Sequence, residues 1–246
     1  MFAAGAPQRY ILINAGALAV GVIAASLIRR LKVRGSSFAG APTIAIGLLL
    51  LTTALFGVHI EGASRWVVLA GISLQPSLIL LPAAMVHFAS DRRWRSSIGL
   101  AIASIGVGLQ PDRAMTGTLA AGLGALWLQR REPTVALAFV IALTAFAATL
   151  LSADAVAPVP FVEQVVQSAF AFHMVTGLAI LAGLATMLVP AAVGARSRER
   201  EVFVVFGATW LAVIAFAIVG SYPTPLVGYG SSAILGYCLS AAMLPP

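Results

Sequence analysis

The sequence predicts an all-helical, polytopic transmembrane bundle of about nine membrane segments. Three observations predict it. Of 246 residues, 60% are hydrophobic and 9% charged, where a soluble domain carries about 25% charged residues. The charged residues gather in short stretches between long apolar runs. The basic ones concentrate on every second connection, as a chain that repeatedly crosses a bilayer requires. A surface of 8 acidic and 15 basic residues cannot cover a water-facing domain of this length. That excludes a soluble enzyme, a nucleic-acid reader and a disordered tail.

The segments follow from the uncharged runs, since a spanning helix needs about 20 mostly apolar residues. In order these are Tyr10–Ile28, Ala39–Val58, Trp66–Ser90, Ser96–Leu109, Ala114–Leu128, Thr134–Ala153, Ser168–Ala195, Val202–Gly220 and Leu226–Pro246. The fourth and fifth are short and meet at Gln110-Pro111-Asp112-Arg113, as two half-depth helices or two tilted ones. Met1–Arg9 is too short and too weakly basic for a signal peptide's charged region, so the first helix reads as a retained anchor. The connections are short and no soluble domain is interposed, so residues 1–246 read as a single transmembrane domain. The one cysteine, Cys238, falls inside the last run and excludes an intrachain disulfide or a cysteine-based zinc site.

Orientation follows from charge. With the amino terminus outside, the inner connections collect Arg29, Arg30, Lys32, Arg34, Arg92, Arg93, Arg95, Arg130, Arg131, Arg196, Arg198 and Arg200. Only Arg9, Arg65 and Arg113 stay outside. The positive-inside rule selects this topology.

The outer connections carry the chemistry. Leu74-Gln75-Pro76-Ser77 and Leu109-Gln110-Pro111-Asp112 repeat one short pattern, and Tyr222-Pro223-Thr224-Pro225 lies at a third outer turn. Each precedes or opens a helix running inward, and proline suits a first helical turn because its missing N–H bonds nothing there. The remaining free N–H groups and the positive dipole ends face outward. Three such ends, with Arg65 and Arg113, make a candidate site for an anionic group. The plainer alternative is that proline starts these helices and glutamine caps a backbone. His87 and His173, within apolar stretches, read as interhelical hydrogen-bonding groups before proton relays. Residues 195–201 read as a solvated basic loop, and Gly117, Ala121 and Gly122 as a close-packing face. No metal cluster, nucleotide loop or hydrolase triad is present in the sequence.

Gly62-Ala63-Ser64-Arg65-Trp66, then Leu69 and Gly71, then Gln75-Pro76-Ser77, resembles a signature of the SEDS family, the FtsW, RodA and SpoVE proteins. That family reads approximately G-x-x-R-W-x-x-L-G and, a few residues on, Q-P-S-E. Gln110-Pro111-Asp112 resembles its second signature, Q-P-D-x-G-T. Pro223 to Ser232, including Tyr229 and Ser231, is similar to its carboxy-terminal P-x-P-F-V-S-Y-G-G-S-S. The resemblance runs from about Leu12 to Leu244. It implies a bacterial inner (cytoplasmic) membrane protein of peptidoglycan biogenesis, cell division or cell shape. Its ligand would be a lipid-linked cell-wall precursor of the polyprenyl-diphosphate type. Its partner would be a class B penicillin-binding protein or another division or elongation membrane protein. No cofactor and no nucleic acid are implied. The residues matching the motifs, and so the candidate lipid-diphosphate or substrate contacts, are Arg65, Gln75, Ser77, Gln110, Asp112, Arg113, Tyr229 and Ser231.

The departures bear on catalysis. The glutamate of Q-P-S-E is Leu78 here, the glycine and threonine after Asp112 are displaced, and the last signature is one residue shorter. Typical members have ten helices, and Tyr10–Ile28 aligns best with their second. Their long outer loop carries H-T-D-F with the presumed catalytic aspartate. Here that loop shrinks to about 152–167, and an ungapped alignment puts Gln164-Val165-Val166 at H-T-D. The loop's carboxylates are Asp154 and Glu163, the candidate general bases; losing a base costs about 10²–10⁴ in rate. Three readings stand: a precursor-binding relative with impaired or no catalysis, a divergent glycosyltransferase using Glu163 or Asp154, and a lipid-carrier transporter.

Overall fold

The structure, a computed structural model, describes residues 5–33, 40–152, 156–228 and 230–246. Among these, the helices are α1 (Arg9–Val33), α2 (Ala41–Phe56), α3 (Pro76–Asp91), α4 (Trp94–Leu109), α5 (Arg113–Gln129), α6 (Pro133–Leu150), α7 (Val165–Phe172), α8 (Met174–Thr186), α9 (Val189–Gly194), α10 (Arg200–Val219) and α11 (Ser231–Ala242). The architecture is the expected helical bundle. α1, α6 and α10 meet the length and apolarity of a membrane crossing, and α2, α4, α8 and α11 are shorter apolar helices.

α3 is the central post: Leu78, Leu81, Met85, Val86 and Phe88 on successive turns are buried, and it packs on α10 and α11. Glycines set the close crossings. A Cβ on Gly47 of α2 would lie 2.4 Å from the Gly99 carbonyl of α4, and one on Gly236 of α11 would lie 2.2 Å from the Leu78 carbonyl of α3. Backbones approach that closely only where a side chain is missing. Gly122 instead makes room for side chains, the Met85 methyl and the Thr209 hydroxyl. Trp210 of α10 donates to Ser240 of α11 at 3.0 Å, which satisfies a buried indole N–H. α1 packs on α11 and leaves Leu12, Leu18 and Ile23 exposed, the pattern of a face turned to lipid.

Two features differ from the sequence expectation, and one alternative it left open narrows. The run from Trp66 does not begin as helix. Val58–Ile60 (β1), Ala63–Leu69 (β2) and Ile72–Leu74 (β3) form an antiparallel sheet in the order β1-β2-β3. Two-residue turns join them, at Glu61-Gly62 and Ala70-Gly71, with positive φ at both positions of each. That is the type I′ pattern, whose twist matches paired strands and whose second position suits glycine. Next, α4 and α5 are whole helices of 16 and 17 residues, about 24 Å long at 1.5 Å per residue, and not half-depth. Finally, the run 168–195 is broken into α7, α8 and α9. His173 is extended (φ −167, ψ 139), and its Nδ1 accepts from the Val175 N–H at 3.1 Å, capping α8. Its ring is thereby engaged as a helix cap.

The loops sort onto two ends. At one end Arg92 pairs with Glu132 at 3.1 Å and with Glu201 at 3.6 Å, and Arg130 pairs with Glu201 at 2.9 Å. This network ties the α3–α4 and α5–α6 connections to the start of α10. All these residues come from the predicted arginine-rich side.

Candidate functional site

The opposite end assembles the three proline motifs around one residue. Gln75 is the N-cap of α3, and Pro76 begins that helix. The Gln75 backbone N–H donates to Ser232 Oγ at 3.0 Å, reaching the third motif. Its side-chain Nε2 donates to Asp112 Oδ2 at 2.8 Å, reaching the second. Ser77 Oγ donates to the same Oδ2 at 3.2 Å. Asp112 is fully buried, and its Oδ1 accepts from the Met115 N–H at 3.2 Å, capping α5. A buried carboxylate needs such partners, because desolvation without them is costly. The helix starts converge as the sequence predicted, and Asp112 itself supplies the anion at the head of α5.

The two cations reach backbone carbonyls of the same end. Arg65, 4% exposed, donates to the Pro111 carbonyl, and its guanidinium lies 5.7 Å from the Tyr222 ring and 6.0 Å from Trp66. Arg113 donates to the Ser152 carbonyl at 2.9 Å and the Thr149 carbonyl at 3.3 Å, tying α5 to the end of α6. Gln110, fully buried, donates to the Leu50 carbonyl at 2.8 Å and holds the α4–α5 turn against α2. These groups brace the site wall.

A cavity of about 280 Å³ lies beside this wall. Its polar lining is Gln75, Ser73, Ser231, Ser232, Glu61 and Glu163, with Trp66 and Leu78 beside them. Of the residues singled out from sequence, Gln75, Ser231 and Glu163 reach the cavity. Arg65, Ser77, Gln110, Asp112 and Arg113 support it from outside its lining. Asp154 and Tyr229 lie outside the described residues. Glu61, Trp66 and Ser232 were not singled out. The paired Glu61-Gly62 and Ala70-Gly71 turns are the signal that places Glu61 and Trp66 on a hairpin.

Glu163 is buried and fixed. It forms an isolated antiparallel bridge with Pro223, the Thr224 N–H donates to the Val162 carbonyl at 3.0 Å, and Glu163 Oε2 accepts from the Val159 N–H at 3.0 Å. The third motif therefore clamps the loop that carries Glu163. Gly228 makes this approach possible: it has φ +80, and a Cβ there would lie 2.0 Å from the Phe161 carbonyl. Asn14 of α1 donates to the Gly228 carbonyl. Val166, at the aligned aspartate position, is buried among apolar neighbours in α7.

The FtsW/RodA/SpoVE family model, described as a cell cycle protein, matches residues 4–107. That stretch contains the first signature and stops just short of the second. Over that stretch the chain is similar to the SEDS family. Its fold is similar throughout to the rod shape determining protein RodA of Thermus thermophilus. An aspartate-to-alanine mutant of that protein is 20% identical, with a TM-score of 0.64 over 97% of this chain and 88% of that one. The RodA structure without that mutation is 19% identical, with a TM-score of 0.61 over 97% and 87%. No curated protein sequence matches the chain. Apolar helices of spanning length, in a fold similar to that of RodA, mark the chain as a membrane protein.

Proposed function

We propose that this chain is a SEDS protein that serves peptidoglycan biogenesis in the bacterial inner membrane, as one membrane domain with its amino terminus outside. It binds a lipid-linked cell-wall precursor at the motif-end cavity, with glycosyl transfer impaired or absent. One observation carries the reading: Gln75 joins all three signatures and lines the cavity. A site built from the family's own motifs is where the family's ligand class belongs. Its partner is a class B penicillin-binding protein or another division or elongation membrane protein.

Glycosyl transfer from a diphospholipid needs an acceptor base and stabilisation of the departing diphosphate. Against efficient transfer, Arg65 and Arg113 are engaged with backbone carbonyls and neither lines the cavity. A second reading, a divergent glycosyltransferase, is favoured by the placement of Glu163. It is a fixed carboxylate on the cavity wall, in the loop where the family keeps its aspartate. Purified protein in nanodiscs with a labelled lipid-linked disaccharide–peptide separates the two. Binding without glycan polymer, with the partner supplied, supports the binding reading. Polymer that is lost in Glu163→Gln while binding persists supports transfer. Failure of the wild type to bind the precursor refutes both.

A further inference from the structure

The two turns of the antiparallel sheet differ in character. The β1–β2 turn carries Glu61, whereas the β2–β3 turn is Ala70-Gly71. No Asp, Glu, Lys or Arg occurs from Trp66 to Ser90, so the strand residues beyond Arg65 and the second turn are free of charge. The register of this second hairpin pairs Val67 with Leu74, Val68 with Ser73 and Leu69 with Ile72. Side chains alternate across a strand and paired residues share a face, so the hairpin has two distinct sides. Trp66 and Ser73 belong to one side and line the cavity. Val67, Leu69, Ile72 and Leu74 make up the other side, which is wholly apolar. Val67 is 41% exposed and Leu69 65%.

Left in water, an apolar hairpin of this kind is an open edge for aggregation. A bilayer covers it. The apolar side is continuous with α2, whose Leu48, Leu49, Leu55 and Phe56 are exposed on a helix without a charged residue. A groove of about 320 Å³ runs between helix and strand, with Leu49, Phe56 and Val67 in its lining. α2 has 16 residues, about 24 Å at 1.5 Å per residue, which is short of a hydrocarbon core of about 30 Å. The hairpin supplies the apolar surface that this helix lacks at its Phe56 end. β3 is an edge strand of the sheet, and its unpaired N–H and C=O groups must stay out of the hydrocarbon core. That sets the depth at the boundary between headgroups and acyl chains. We infer that the β2–β3 hairpin is an interfacial membrane anchor. Its face of Val67, Leu69, Ile72 and Leu74 rests in the phospholipid leaflet on the motif side, and β2 is the partition between that lipid and the cavity. Whatever ligand the cavity takes, it is thereby held at headgroup level.

The test uses the full chain in phospholipid nanodiscs, in a Cys238→Ala background, with a fluorescent label on Leu69→Cys or, in the other turn, on Glu61→Cys. Both positions are exposed, so both variants keep the fold. The quenchers are phospholipids brominated either near the headgroup or near the chain end, and aqueous iodide. The expected result is that the label at position 69 is quenched by the shallow bromolipid and loses quenching by iodide, while the label at position 61 shows the reverse. Adding Val67→Glu places a charge on the same apolar face, at an exposed position. It is expected to return the label at position 69 to iodide, because a charge is costly to take out of water. Iodide quenching at position 69 equal to that at position 61 overturns the inference, and is what a face kept for a partner protein would give. A label at position 69 that neither quencher reaches is packed against protein and overturns it too. So does stronger quenching by the deep bromolipid than by the shallow one. If Val67→Glu leaves the lipid quenching unchanged, the label and not the strand holds the hairpin in lipid, and the inference falls.

Discussion

Asp112 illustrates how a residue legible as functional acts through its neighbours. Its carboxylate collects the Gln75 amide, the Ser77 hydroxyl and the Met115 N–H with no exposure to solvent. Truncation leaves three buried donors without an acceptor, each costing about 1–3 kcal/mol. Asp112→Ala is expected to destabilise the fold by about 3 kcal/mol or more, read as a lower melting temperature in detergent. Asp112→Asn keeps two acceptor lone pairs and is expected to lose less. Equal melting of Asp112→Ala and wild type would mean that Gln75 and Ser77 do not depend on it. Arg65 shows the opposite side of legibility. The sequence placed an outer cation beside a helix start, and a guanidinium there serves a ligand phosphate or a protein carbonyl equally well. In the structure it reaches the Pro111 carbonyl, 46 positions away, a contact that no local pattern records.

At the scale of elements, the runs Ala114–Leu128 and Thr134–Ala153 were readable to within a few residues of α5 and α6, where Asp112 caps one helix and Pro133 starts the other. The misread elements are those where an apolar run hides a change of backbone. Val67-Val68-Leu69 is as apolar as a helix, and its strand character lies in the flanking X-Gly turns. Likewise the break at His173 rests on one side-chain cap inside an apolar run. The clamp on Glu163 can be tested at Gly228. An alanine there meets the Phe161 carbonyl and a left-handed backbone together, a strain of about 2 kcal/mol. Gly228→Ala is expected to speed hydrogen exchange at the Thr224 amide, which bonds Val162, while the amides of α4 exchange as before. Unaltered exchange at Thr224 would show that the loop and the third motif are held together by other contacts.

The whole molecule is polarised, and that polarity was the most legible property of the sequence, because charge spacing is set by the bilayer and not by distant packing partners. Arg92, Arg130, Glu132 and Glu201 form one network joining three connections, and Gln75, Asp112 and Ser232 join the motifs at the other end. The two clusters lie at opposite ends of α3 and α5, so they face opposite sides of any bilayer the bundle crosses. The proposed orientation rests on the arginine excess, since cytoplasmic loops retain basic residues. Ser152 is exposed at the end of α6 and Ser197 in the α9–α10 connection. In a Cys238→Ala background, Ser152→Cys is expected to react with an impermeant maleimide on intact spheroplasts, and Ser197→Cys only after permeabilisation. Reaction of Ser197→Cys in intact spheroplasts would invert the molecule. It would put the cavity, its carboxylates and the Gln75 junction on the cytoplasmic side, where an externally displayed sugar headgroup could not reach them.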